Sequence, residues 1–388
     1  MNERNNILGI FKKNKCVGCS NCMNICPNKA IEMHYEKDGF LYPQINLQKC
    51  ISCGKCIKVC QIAEKYNSCK DTEIESYIAI TKDKRVYINA ASGGIFGTLA
   101  KRFLIEFQNS CVVGATYISG KVLHFIVNKS DNIYILQNSK YVQSNLNSVF
   151  VKIRKRLDNQ QYVLFSGTPC QVYALKLFLH KDYERLFTID LICHGVPSPL
   201  FLEKDLREYG LEIKSLSFRN KKFFFKSRSK FILSVSKSDN RFCGKKVMYN
   251  RDPFYSLFTS NLSFRESCYN CNFANINRVG DVTIGDCDSY RLYPDFHMNE
   301  ATSTVLVNSD KGKFLWGKMH EYFEFRELDL YKEVEVNTQL RKPSKYPENY
   351  QDIIEDINTK DIGYLRKKYS RPNDIREKIA LIKELILP

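Results

Sequence analysis

Long apolar runs are missing from this sequence: no stretch of about 18 apolar residues occurs, so no bilayer-spanning helix is expected. The opening residues, MNERNNILGIFKKNK, lack the apolar stretch of a secretory signal, and an unexported, cytoplasmic protein is expected. Acidic residues are scarce. The 42 Asp and Glu stand against 59 Lys and Arg, a formal charge of +17 that suits an anionic cofactor, an acidic redox partner or nucleic acid. No dense Lys/Arg block occurs, so a nucleic-acid-binding tail is not indicated, and general drift towards Lys, Asn and Ile is the plain account. Tryptophan is represented by Trp316 alone. Apolar content is not lacking: 388 residues at 44% hydrophobic can bury two to three domain cores, which excludes disorder as the main state.

Cysteine is the residue in excess, with 16 in a chain too large to need disulfide staples. Metal ligation is therefore the default reading. Cys16, Cys19, Cys22 and Cys26 recur 34 residues later as Cys50, Cys53, Cys56 and Cys60, so the segment is a duplication. Each copy reads C-x2-C-x2-C-x3-C, and Pro27 follows the first: this is the bacterial ferredoxin pattern for two 4Fe–4S clusters. Three closely spaced thiolates reach one cluster while the fourth reaches the other. Cys16, Cys19, Cys22 and Cys60 are assigned to one cluster, and Cys50, Cys53, Cys56 and Cys26 to the second. Zinc sites normally use two separated C-x2-C pairs, not tight triplets. Gly18 and Gly54 fall in the loops between cysteines, where the backbone must turn tightly. AIEMHYEKDGFLYPQI suggests a hairpin around Asp38-Gly39, with His34 an exposed strand residue.

The organisation expected is a ferredoxin-like domain over 1–66, a polar linker over 67–76, an α/β domain over 77–342 and a charged helical tail over 343–388. The fold class is α+β or α/β. YIAI, CVVGATYI and LHFIV read as strands, and NAASGGIFGTLAKRFLIEF as a small-residue turn leading into a helix. That turn, Ser92, Gly93 and Gly94, offers N–H groups to a phosphate or is a plain helix start capped by Ser92. Two strand-loop-helix units follow: YVLFS with turn GTPCQ and helix VYALKLFL, then LFTIDLI with turn CHGVPS and helix PLFLEKDLREY. In a parallel sheet both loops emerge at the carboxyl edge, which brings Cys170 and Cys193 together although they are 23 positions apart. Cys268-x2-Cys271 precedes the strand DVTIG and needs two more ligands. With Cys170 and Cys193 it would complete a third cluster; a structural zinc and separate thiols, with Cys170 a nucleophile at a helix N-terminus, stay open. His194 would donate to a cluster sulfur, act as an acid or cap its loop. Cys69, Cys111 and Cys243 are read as structural, and so are His124, His180, His297 and His320.

The segments ASGGIFGTLA, SKYVQSN, VLFSGTPCQVYALKLFL, DLICHGVPSP, and C-x2-C with RVGDVTIGD, in this order, resemble the coenzyme F420 hydrogenase/dehydrogenase beta subunits, here behind a ferredoxin domain. The resemblance spans roughly 75–286. It implies an FAD in the α/β domain, an iron–sulfur cluster beside it, and electron traffic between a reduced carrier and a substrate. Carried over residue by residue, it makes Ser92, Gly93, Gly94, Lys140, Tyr141 and Gln143 candidates for the flavin site and Cys170, Cys193, Cys268 and Cys271 candidate cluster ligands. The family commonly has an aromatic pair after the Gly-Asp matching Gly285-Asp286; this chain reads Cys287-Asp288, which puts a stacking surface in doubt and makes Cys287 a rival ligand.

From about Gly210 the likeness is looser. LEIKSLSFRNKKFFFKSRSKFILSVSK reads as a hairpin with a basic, aromatic-rich turn, and RPNDIREKIALIKELIL as an amphipathic helix. The function expected is an iron–sulfur flavoprotein oxidoreductase working between a reduced ferredoxin-like or deazaflavin-like carrier and an unidentified substrate. The alternative is an electron-transfer subunit serving a partner enzyme. A nucleic-acid-binding protein with structural clusters has composition as its only support. No catalytic residue is assigned.

Overall fold

A computed structural model of the protein describes residues 5–64, 66, 73–210, 213–221, 230–236 and 245–370. Cys69, Cys243, the basic turn after Gly210, much of the linker and the amphipathic stretch RPNDIREKIALIKELIL lie outside them.

The N-terminal unit sets two short helices, α1 (Asn21–Ile25) and α2 (Lys55–Lys58), beside a hairpin of β1 (Ile31–Tyr35) and β2 (Leu41–Ile45). The hairpin turns at Gly39, whose φ is +75°, and pairs Tyr35 with Leu41 and Ile31 with Ile45. Asp38 steadies the turn by accepting from the Phe40 amide at 3.2 Å and the Tyr42 hydroxyl at 2.8 Å. The unit's core is small: Ile7, Cys22, Ile31 and Cys56 bury together, and Ala30, Phe40, Tyr42 and Val59 are its other buried apolar residues. So few apolar side chains cannot hold a fold this short unaided, and the cysteines must contribute through what they bind.

The main body is an eight-stranded mixed sheet. Its strands are β3 (Glu75–Thr81), β4 (Ser110–Ile118), β5 (Lys121–Val127), β6 (Tyr162–Gly167), β7 (Leu186–Leu191), β11 (Val282–Asp286), β12 (Ser303–Val307) and β13 (Phe323–Glu327); β8 (Ser215–Asn220), β9 (Lys230–Ser236) and β10 (Lys245–Met248) form a separate antiparallel sheet. The spatial order is β13-β3-β12-β11-β7-β6-β4-β5. β4, β6, β7 and β11 run parallel, and β3, antiparallel to β12, shares their direction. The carboxyl ends of β3, β6, β7 and β11 therefore finish on one edge, where the segments carrying Ser92, Cys170, Cys193 and Cys287 begin.

Helices α3 (Lys84–Ile88) and α4 (Ile95–Glu106) follow β3, α5 (Val149–Asp158) precedes β6, α6 (Pro169–Leu179) follows it, and α7 (Pro199–Leu206) follows β7. Two starts differ from the sequence reading. The cap of α4 is Gly94, left-handed at φ +82°, and not Ser92, whose hydroxyl donates to the Thr302 carbonyl at 2.7 Å. A Cβ on Gly93 would stand 2.5 Å from the Ala79 carbonyl oxygen, so only glycine lets this turn lie against β3 and β12. Helix α6 starts at Pro169, with Thr168 and Gln171 forming a capping box, which puts Cys170 in the first helical turn and not in the preceding loop.

Beyond β10 come α8 (Pro253–Thr259), α9 (Asp310–Met319), α10 (Leu330–Val336), α11 (Tyr350–Thr359) and α12 (Ile362–Tyr369). The segment read as a hairpin is thus part of a three-stranded sheet, and the charged tail begins as α11 and α12. Phe218, Phe254, Tyr255, Ile353 and Leu365 bury together, joining the small sheet, α8 and the tail into a second core.

Candidate functional site

Two cavities in the N-terminal unit divide its eight cysteines. One is lined by Cys16, Cys19, Cys22 and Cys60, the other by Cys26, Cys50, Cys53 and Cys56. Each set takes three members from one copy of the repeat and one from the other. The loops that aim them are strained in the same way: Gly18 and Ser20 are left-handed in the first copy, and Ser52 and Gly54, 34 residues on, in the second. Each copy thus has one glycine and one serine at these two places, and sequence reasoning picked out only the glycines. Successive left-handed turns point backbone N–H groups inward. The Ala30 amide donates to Cys26 Sγ at 3.2 Å and the Ser52 amide to Cys50 Sγ at 3.4 Å. Burial, opposed by the Asn21 amide and reinforced by charge on Cys16, Cys60 and Cys170, pushes the Cys19 thiol up to about 12.

The third set also converges. Burial pushes the Cys193 thiol up to about 12, with charge on Cys170 and Cys271 adding to it. Cys268 is raised by burial and then by Cys193, Cys271 and Cys170. The loop of Cys268 and Cys271 is held against the loop of Cys193 by the bridge between Pro197 and Phe264 and by the Arg265 amide, which donates to the Val196 carbonyl at 2.8 Å, while Cys170 and Cys271 pack on the same apolar cluster. Cys170 is pushed up to about 11 by burial, against a hydrogen bond with the Thr168 hydroxyl at 3.2 Å. Cys287 stands apart. It is buried beside Ile78, Ile80 and Phe296, and its sulfur lies 3.8 Å from the Ser289 hydroxyl and 3.8 Å from the Glu333 carboxylate. Cys111 is buried in the sheet core, and His124 sits between the Ser144 hydroxyl and the Ser166 carbonyl, each at 3.0 Å.

Four thiols line each cavity of the N-terminal unit, with a tight triplet in each, the donor set that suits an iron–sulfur cluster.

The sets adjoin: Cys56 and Cys60, four residues apart, line different cavities, and Gln61 and Asn21, which line the cavity of Cys60, donate to the carbonyls of Cys170 and Ala174, each at 2.8 Å. Next to Cys193 is His194, whose pKa burial lowers and Asp286 raises. Asp286 ends β11, where Arg219 from β8 donates to it at 2.5 Å. Burial would raise the Asp286 pKa, but Arg219, Ser92 and His194 together hold it below the usual carboxylate range.

Of the flavin candidates, Ser92 and Tyr141 meet at this end, since Tyr141 touches Arg219 and stacks on Phe258 at 4.5 Å between ring centroids. Gly93 shapes the turn, and its amide donates to Ser303 Oγ at 2.9 Å. Lys140 donates to the Gln137 carbonyl at 2.6 Å. Gln143 does not join them; its amide donates to the Val17 carbonyl at 2.9 Å, in the N-terminal unit. Sequence reasoning missed Lys221, whose ammonium is buried over the Tyr87 ring, 3.4 Å from its centroid, and donates to the carbonyls of Tyr87 and Ser92. Arg219 in β8 and Lys221 just after it sat unmarked in a segment whose likeness to the family was loose. Two buried polar atoms nearby, Thr302 Oγ1 and Asn138 Oδ1, have no hydrogen-bond partner among the described residues.

Two arginines fix the thiol sets. Arg278 forms a buried ion pair with Asp190 at 3.1 Å and donates to the carbonyls of Phe273 at 2.9 Å and Leu191 at 2.8 Å. It ties the loop after Cys271 to the end of β7, and Asp190 accepts in addition from Val279, Gly280 and Thr283. Arg265, three residues before Cys268, reaches into the N-terminal unit: it donates to the carbonyls of Cys16 at 2.6 Å and Leu41 at 2.9 Å and to Gln143 Oε1 at 3.0 Å. Asn21 adds a bond to the Ala174 carbonyl of α6 at 2.8 Å, and Gln61 one to the Cys170 carbonyl at 2.8 Å. Replacing Arg265 with methionine strands three half-buried acceptors, at a cost of about 3 kcal/mol. A calorimetric scan of the holoprotein should then show the N-terminal unit melting first, as a separate transition; a single unshifted transition would contradict this role for Arg265.

Residues 160–330 match the family described as the C-terminal part of the coenzyme F420 hydrogenase/dehydrogenase beta subunit, and residues 15–63 match the 4Fe-4S dicluster domain. No curated protein matches at a significant level. Among solved structures, a chain of the F420-reducing nickel–iron hydrogenase complex from Methanosarcina barkeri aligns with 73% of this chain and 91% of its own, at 16% identity and a TM-score of 0.48.

Proposed function

We propose that this iron–sulfur electron-transfer protein, whose residues 160–330 match the coenzyme F420 hydrogenase/dehydrogenase beta subunit family and follow a match to the 4Fe-4S dicluster domain, is a flavoprotein oxidoreductase. It works between a reduced carrier, ferredoxin-like or deazaflavin-like, and an organic substrate. The observation that carries the reading is the run of three adjoining thiol sets ending at Asp286, Arg219, Lys221 and Ser92. Cys26, Cys50, Cys53 and Cys56 would hold the outer cluster, Cys16, Cys19, Cys22 and Cys60 the next, and Cys170, Cys193, Cys268 and Cys271 the third. FAD supplies the exchange of an electron pair for single electrons that one-electron clusters require.

The chain's own residues suit that group. Lys221 and Arg219 supply buried positive charge for an anionic cofactor, Asp286 orients Arg219, and the unpartnered Thr302 and Asn138 atoms offer polar contacts. Burial and Arg219 push the Lys221 ammonium down to about 7, so its Nζ can hold or give up a proton near neutral pH. Quantifying iron, sulfide and flavin in anaerobically purified protein tests the reading. About twelve irons per chain, as three 4Fe–4S clusters, and one flavin are expected. Iron without flavin would sink the flavoprotein and leave electron transfer; zinc in place of iron would sink both.

The family's description as a beta subunit favours a second reading, an electron-transfer subunit serving a partner enzyme. Dye reduction by the purified chain with a reduced carrier, with and without that enzyme, separates the two.

A further inference from the structure

The N-terminal unit turns a face of distinct chemistry outward beside the Cys26, Cys50, Cys53 and Cys56 cavity. Cys53 is exposed, and Leu8 at 45%, Leu47 at 45% and Ile51 at 62% exposure stand out of the surface around it. Leu8 belongs to this face because the neighbouring segment is tied down there: the Asn5 side chain donates to the Ser52 carbonyl at 2.6 Å, and Asn5 and Asn6 line the cavity. Lys49, Lys55 and Lys58, all exposed, flank Leu47, Ile51 and Cys53 along the chain, Lys55 lines the cavity with Ile51, and none of the three lies within ion-pair distance of a carboxylate among the described residues. The sequence keeps this region free of opposing charge. No Asp or Glu occurs from Gly39 to Ala63 or from Asn5 to Ile31; of the unit's carboxylates, Glu32, Glu36 and Asp38 sit on the hairpin or its turn, and Glu3 and Glu64 stand in sequence just outside these ranges.

We propose that this face docks a small acidic electron-carrier protein. The proposal deepens the reading above and rests on Cys26, Cys50, Cys53 and Cys56 being cluster ligands. Uncompensated lysines steer an acidic partner from a distance and give fast association that salt screens. A few exposed apolar side chains at the centre let two surfaces shed water and close up, within the small contact area of transient redox encounters. A second copy of this chain does not fit the face, because a two-fold pairing would set lysines against lysines. At each encounter one electron is exchanged, the carrier losing what this chain gains or the reverse, with no proton moved and no bond formed or broken.

The test uses the full anaerobic holoprotein and a small acidic two-cluster ferredoxin as probe, with the second-order electron-transfer rate followed in a stopped-flow instrument as ionic strength rises. The wild-type rate should fall steeply with salt. The triple variant Lys49→Glu, Lys55→Glu, Lys58→Glu should be slower by tenfold or more at low salt, with its salt dependence reversed or flattened. Ile51→Ser should slow the reaction at every ionic strength and leave the salt slope intact. Reduction by a small uncharged reductant should match wild type in both variants, and iron content should be unchanged, which shows that the variants are folded and loaded. An unchanged rate and slope in the triple variant with full iron content would overturn the docking face and leave the cluster reading standing. A wild-type protein without iron would overturn the cluster reading itself. Lost binding to anionic lipid vesicles, with carrier kinetics untouched, would assign the face to a membrane and overturn the proposal.

Discussion

Replacing Cys271 with serine should remove about four irons per chain, one 4Fe–4S cluster, and leave the paramagnetic signals of the N-terminal clusters in place. Electron delivery from the dicluster domain to the flavin end should fall by on the order of a hundredfold, since even supporting residues around metal ligands cost ten- to a hundredfold. The thiol is buried, the amides of Phe273 and Ala274 point at it, and Arg278 fixes its loop to the end of β7. Nothing nearby replaces it. Cys287→Ser is the control: its sulfur faces Ser289 and Glu333, away from the quartet, and iron should be unchanged. Unchanged iron in Cys271→Ser, or a lost cluster in Cys287→Ser, would refute the third ligand set in this form.

The second large effect is expected at Lys221. Its ammonium is buried, held by two carbonyls and a ring face, with burial and Arg219 lowering its pKa to about 7 against Asp286 and Glu300. In the unfolded chain the lysine keeps its ordinary value of 10.5. Between pH 7 and 10.5 the unfolded state binds more protons, so stability rises with pH across that window, and the full penalty of burying the charge is present below pH 7. Lys221→Met should therefore stabilise cofactor-free protein by on the order of 2 kcal/mol at pH 6, with the gain fading as pH rises through the window. The same substitution removes a charged contact for the flavin and should weaken its retention by roughly ten- to a hundredfold. Denaturant melts at several pH values and flavin titration of stripped protein read the two effects separately. A variant less stable than wild type at pH 6, or one that keeps flavin equally well, would show that Lys221 is an ordinary structural lysine.

Much of the site was legible because its chemistry is local. Cys16 to Cys26 and Cys50 to Cys60 lie on loops short enough that spacing alone dictates which thiols can face one centre, and the two cavities divide the cysteines along those lines. The strand-loop-helix units around Cys170 and Cys193 were legible for a related reason: unbroken apolar strands followed by helices leave parallel topology as the solution, and parallel topology puts their loops on one edge. The cap of α4 was misread because Ser92 is a good capping residue in isolation, and only the contact with Thr302 takes its hydroxyl elsewhere.

Gln143 shows the limit of reading residues by motif. Its segment, SKYVQSN, offers Lys140, Tyr141 and Gln143 as flavin candidates, and of these Tyr141 turns towards Arg219 while Gln143 reaches Val17 and Arg265, because neighbours on an irregular segment need not face one way. What the amino-acid order determined by itself was the repeat, the cysteine partition of the N-terminal unit and the shared edge of the sheet, since each follows from backbone reach or strand periodicity over a few residues. The tertiary structure alone decided that Arg265 joins two units across 249 positions, that Arg219 pairs with Asp286 across 67, and that Cys287 points away from the quartet. These are meetings of side chains brought together by packing, and no local pattern encodes the partner of a charge that is buried at a distance in sequence.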